Sequence, residues 1–271
     1  MTTETLDRTA RPGSGQAEGR YGFRSVARME WLKLRSVRST WWTLLVFAAG
    51  MIGLAILVMS RQRSAGHPGF DPTNDSFAGL AIGQLVIGVL GVLAVTSEFS
   101  SGMIRATFAA VPRRPLVLAA KAAIVTAVTL VAGEILAFVA FGVGQAVLKS
   151  PLQPATLGQP GVLRAVLMAG AYPALMALIG LGLGALIRHT AGAISAVVGV
   201  VFVLPLLLIQ LGTSIQNSVG QFMPMIIAEN SMTAVKPIAH SLSPWAGFGV
   251  LCLYTAAALG AGAWALARRD A

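Results

Sequence analysis

The chain has 271 residues, 55% of them hydrophobic and only 11% charged, with a mean hydropathy of +0.74. An average soluble domain carries roughly 25% charged residues, so this composition excludes an ordinary soluble enzyme and a disordered chain. The net charge of +10 fits either a nucleic-acid partner or basic residues held on one side of a membrane, and their positions decide between the two.

In chain order, residues 1–20 read as a disordered tail. Residues 23–38 read as a basic amphipathic helix lying in the headgroup layer. On a helical wheel Phe23, Val26, Ala27, Leu34 and Val37 fall on one arc, with Arg24, Arg28 and Arg35 on a flank. Glu30 projects from the centre of that apolar stripe. It either pairs locally with Lys33 three residues on or contacts a partner subunit. Trp41 and Trp42 follow, where an aromatic belt sits.

A membrane span needs about 20 mostly apolar residues. Six segments qualify, at residues 41–59, 77–96, 122–148, 165–187, 191–211 and 245–267. The first lies behind a long tail and has no small-x-small site directly after it, so it reads as a retained span and not a cleaved leader. Pro173 and Pro205 fall inside the fourth and fifth, where neighbouring helices can satisfy the freed carbonyls. Fifteen of the twenty Lys and Arg lie in the tail, between spans two and three, after span four and at the C-terminus. The excess of basic residues on the cytoplasmic side of membrane proteins therefore places both termini in the cytoplasm. With the charge so distributed, the nucleic-acid reading falls away.

The cytoplasmic segment 97–115 is too apolar for a free loop and reads as a short helix pressed against something. A continuous helix would put Glu98 and Arg105 on one face, with Gly102 between them. Beyond span five, residues 212–244 carry only Glu229 and Lys236. They read as short helices that cap or re-enter the outer leaflet.

Within the spans, Glu134 is the one charged residue well inside the bilayer, and a carboxylate there needs a partner, water or a substrate. Gln145 shares its helical face. Gln84, Gly88 and Gly91 line up on span two, and Gly79/Gly83 and Gly180/Gly184 form GxxxG pairs that let helices approach closely. Glu134, Gln145 and Gln84 are the candidates for lining a substrate path. Catalytic motifs are missing. There is no His-Glu-x-x-His, no Gly-x-Ser-x-Gly and no phosphate-binding Gly-x-x-x-x-Gly-Lys-Ser/Thr. His67, His189 and His240 are scattered, and the lone Cys252 makes no disulfide framework or zinc site.

The run TSEFSSGMIRATFAAVPRRPLVLAAK, from Thr96 to Lys121, resembles the first cytoplasmic loop of ABC-2 type transporter permeases. Glu98, Gly102, Pro112 and Lys121 match that family's pattern, although Met103 stands where Thr is frequent. The run MEWLKLRSVRSTWW, from Met29 to Trp42, resembles the family's approach to span one, particularly in actinobacterial members. The resemblance covers the whole six-span plan. It implies an all-α permease in the plasma membrane of a bacterium, working as a homodimer or with a related permease. It also implies a separate ABC ATP-binding subunit that holds ATP and Mg, so no cofactor belongs to this chain. The segment 97–115 would then be the coupling helix, with Glu98, Gly102, Arg105 and Glu30 at the contact with the ATPase, and residues 212–244 would form an external lid. The expected function is export of a small molecule, peptide or lipid. A secondary transporter would show internal repeats and several intramembrane charges. A membrane anchor that recruits a cytoplasmic partner would lack a neighbouring ATPase gene.

Overall fold

Backbone N–H and C=O groups inside a bilayer must be satisfied within the chain, and the apolar runs of this protein do so as helices. A computed structural model describes residues 22–62, 70–210, 218–234 and 241–268. The 1–20 tail and parts of 212–244 lie outside the described residues. Among those described there is no strand. Six helices are long and apolar enough to cross a membrane, as the sequence predicts.

Helix α1 (Phe23–Ser36) leads into the first long helix, α2 (Arg38–Arg61). A single turn, α3 (Pro72–Asp75), precedes α4 (Leu80–Ser100), and the short α5 (Met103–Ala110) precedes α6 (Arg114–Val147). Then come α7 (Val162–Ile187) and a composite fifth span. That span runs as α8 (Thr190–Val198), a widened π turn over Gly199–Val203, and α9 (Leu204–Gln210). Pro205 has no N–H to give, and the π turn occupies the stretch just before it. The short α10 (Pro224–Ser231) and the last long helix, α11 (Pro244–Arg268), complete the order.

Helix α7 is the centre of the bundle and packs against α4, α6 and α11. Its apolar window is 72% buried, against 22% for α2 and for the fifth span. Small residues allow this. A Cβ on Gly91 of α4 would stand 1.8 Å from the Ala177 carbonyl oxygen of α7, so only glycine lets the two backbones touch there. The Gly79/Gly83 pair packs against α2, and Gly180/Gly184 against α4. These glycine pairs thus join helices of the same chain.

The third span begins at Arg114 and not at the expected residue 122. Pro115 suits the first turn of a helix, and the charge of Lys121 is neutralised inside the fold. The segment 97–115 also divides. Gly102 takes the left-handed conformation, φ 71°, which ends α4 and starts α5 in a new direction.

The loops at the α3 end are stitched together by buried polar groups. Asp71 caps α3 by accepting from the backbone N–H groups of Thr73 (2.9 Å) and Asn74 (3.3 Å), and its other oxygen accepts from Ala234 N–H (2.6 Å). Arg164 of α7 donates to the carbonyls of Ser231 (2.8 Å) and Thr233 (2.7 Å). Short helices do form within the 212–244 region, with α10 resting on α11.

Candidate functional site

The most unusual feature is a buried cluster of charges at the opposite end, where α1, α4, α5 and α6 meet. Val26, Ala27 and Met29 of α1 pack with Val117 and Ala120 of α6, and with Phe108 and Val111 at the end of α5. The apolar stripe of α1 therefore faces α6, and Glu30 in that stripe is carried into the interior. Lys121 meets it from α6, and Glu98 arrives from the last turn of α4.

Lys121 Nζ donates to Glu30 Oε2 and, at 2.7 Å, to Glu98 Oε1. Lys33 Nζ donates to Glu30 Oε1 and Glu98 Oε1, both at 3.0 Å, and to Thr107 Oγ1 at 3.3 Å. The Thr107 hydroxyl donates in turn to Glu98 Oε2 at 3.2 Å. Two carboxylates and two ammonium groups cancel in charge. Glu30 and Glu98 are each 3% exposed and Lys121 is 4% exposed. Ions buried this deeply are tolerated only when paired and hydrogen-bonded. Lys33 is the partly open member. Burial alone lowers its pKa, but the charges and hydrogen bonds of Glu30 and Glu98 outweigh that and hold it above its usual value. A cavity of about 180 Å³ adjoins the cluster between α1, α2, α4 and α6.

Arginines brace the same end. Arg114 donates to the Leu266 carbonyl (3.1 Å) and lies over the Phe108 ring. Arg188 donates to the Ala265 carbonyl (2.9 Å) and lies over Phe99. Both cations therefore satisfy carbonyls left open at the C-terminus of α11.

Measured against expectation, the cluster corrects several assignments. The local Glu30–Lys33 pair is present, and Lys121 and Glu98 complete it, so Glu30 is buried within the chain's own fold. Glu98 also points inward, and any contact it makes with another protein is through the segments it holds. It shares no helical face with Arg105, because the Gly102 turn separates them. Arg105 stands exposed on α5. The sequence shows Lys33 only as the local partner of Glu30 and does not single out Thr107. Their spacing to Glu30 and Glu98 is helical only in part, and the decisive contacts run between helices.

The intramembrane candidates separate as well. Glu134 of α6 faces Gly170 of α7, and its Oε2 is buried with no hydrogen-bond partner among the described residues. Gln145 is a staple. Its Nε2 donates to the Pro72 carbonyl (2.8 Å) and Ser76 Oγ (2.9 Å), and its Oε1 accepts from Ala155 N–H (2.8 Å). Gln145 thus fastens α3 and the loop at Ala155 to α6. Gln84 accepts from the Tyr172 hydroxyl and lines a second cavity. No family model matches the chain, and no curated protein matches it.

Proposed function

We propose that this chain is the membrane-spanning subunit of an ATP-driven ABC-2 type exporter. It sits in the plasma membrane of a bacterium with both termini in the cytoplasm, pairs with a second permease copy, and is driven by a separate subunit that binds ATP and Mg. The observation that carries the reading is the buried cluster Glu30–Lys33–Glu98–Thr107–Lys121. It fastens the short helix α5 to α1, α4 and α6 through charge-assisted bonds. A push on α5 then has a polar route out of the helix. Thr107 passes it to Glu98, and the two lysines pass it to α1 and α6.

Further support comes from the charge asymmetry of the loops and from the motif resemblance of residues 96–121. The exposed side of α5, with Met103, Arg105, Ala106 and Ala109, is then the surface offered to the ATPase. Glu98 and Glu30 hold that surface in place and do not form it. The test is affinity purification of the chain from its native membrane. The reading expects an ATP-hydrolysing subunit to be retained in fixed ratio. Purification of the chain alone, with intact ATP-independent function, would favour an anchor or a secondary transporter.

A further inference from the structure

The second cavity lies at the α3 end, far along the bundle from the ion-pair cluster. It holds about 260 Å³ between α3, the start of α4, α7 and α10. That is near the lower limit for small-molecule pockets. Part of its wall is apolar, with Phe77, Ala81 and Met232. Two deeply buried polar residues, Gln84 and Tyr172, each 1% exposed, also line it. The Tyr172 hydroxyl donates to Gln84 Oε1, and Gln84 Nε2 donates to the Ala81 carbonyl at 3.1 Å. One amide hydrogen of Gln84 and the lone pairs of the Tyr172 oxygen retain bonding capacity.

The charge in the wall has a single sign. Asp75 and Glu229 line the cavity, and no Lys, Arg or His among the described residues does. Asp75 accepts from Gln62 Nε2 at 3.2 Å. The Glu229 carboxylate has no hydrogen bond or ion pair among the described residues. Its backbone carbonyl, however, is held by Asn74 Nδ2 at 3.1 Å, which fixes α10 beside α3. Glu229 stands exposed at the rim of the cavity, and the part of it that is covered raises its pKa above the ordinary carboxylate value. Two carboxylates beside one cavity, with no Lys, Arg or His among its described lining residues, favour a cationic ligand over an anionic one.

We propose that this cavity binds a small organic cation with an apolar body. The cationic group sits against Glu229 and Asp75, and the apolar part lies along Phe77, Ala81 and Met232. Gln84 and Tyr172 meet a polar substituent of the ligand. The binding site stands on this geometry, and naming the ligand class as the cargo rests on the transporter reading above.

The experiment uses the full chain in nanodiscs of zwitterionic lipid, without any ATPase. Ethidium binding is followed by fluorescence anisotropy, with the anionic probe anilinonaphthalene sulfonate as competitor. Ethidium should bind saturably and the anion should not displace it. Glu229→Gln should weaken ethidium binding by about tenfold, the effect of losing one charge contact. Its melting temperature should stay level, because Glu229 is exposed and makes no bond through its carboxylate among the described residues. Adding Asp75→Asn should weaken binding further. Equal ethidium affinity in wild type and Glu229→Gln, or displacement by the anion, would overturn the proposal. The two readings fail separately. Ethidium binding that depends on Glu229, in a chain that retains no ATPase when purified from its native membrane, sinks only the ATP-driven reading. ATP-driven export with unchanged binding in Glu229→Gln sinks only the site.

Discussion

At Lys121 one ammonium group answers two carboxylates from different helices, Glu30 of α1 and Glu98 of α4. Lys121→Met leaves both carboxylates buried with Lys33 as their remaining cation. Removing one partner of a buried ion pair costs about 3–5 kcal/mol, and thermal unfolding of the purified protein in detergent should show a loss of that size. Adding Glu30→Gln should recover part of it, because the surviving charges balance again. Strictly additive losses would mean that the two residues act independently. Lys33 gives a pH signature. Its folded pKa lies above the unfolded value of 10.5, so its contribution to stability is complete below 10.5 and fades as pH rises through the folded value. A melting temperature that is flat through neutral pH and falls only at strongly alkaline pH is expected. The effect should be modest because Lys33 is partly exposed. Glu134 behaves differently, since its Oε2 has no hydrogen-bond partner among the described residues. Glu134→Gln should leave membrane abundance unchanged and alter export, as measured by transport into inverted vesicles. Export equal to wild type would remove Glu134 from the pathway.

Among the elements, α5 carries the heaviest demand in the proposed coupling, which needs it both short and rigidly set. Gly102 sets its direction at φ 71°, with nothing within 4 Å of where a Cβ would stand. The cost of Gly102→Ala is therefore conformational, about 1–2 kcal/mol for a left-handed residue. ATP-dependent export should fall by more than the melting temperature predicts, since α5 is re-aimed. The elements also show where sequence reading succeeds and where it stops. Spans are legible because twenty apolar residues in a row have one structural outcome in a bilayer. The start of α6 is not, because Lys121 looks like a boundary when its partners are 91 and 23 residues away in the chain. Glu30 is conspicuous in its stripe, yet only the packing of α1 on α6 shows what it meets. The Glu98–Arg105 face is misjudged for a local reason, since a helical wheel assumes continuity that Gly102 breaks. For Gln145 the face on α6 is legible, but the folding of α3 back onto it is not.

For the whole molecule, polar work is separated to the two ends of an apolar bundle. One end gathers the ion-pair cluster, α5 and the arginines that cap α11. The other gathers the Asp71, Gln145 and Arg164 staples and the acidic cavity. The long helices between them leave large apolar side chains exposed, among them Val131, Ile135, Leu206, Leu207 and Leu253, as a surface solvated by lipid or by a second copy requires. The central claim is that α5 is the surface on which a separate ATPase acts. Cys252, the one cysteine in the sequence, can be replaced by serine and a single cysteine placed at Ala109 on the exposed side of α5. The most direct measurement is site-directed crosslinking from that position in native membranes. The account predicts a crosslink to an ATP-binding subunit whose yield changes when ATP is bound, and none from a cysteine at Asn74 at the opposite end. A chain that crosslinks to no ATPase from α5, while still exporting its cargo, would contradict it.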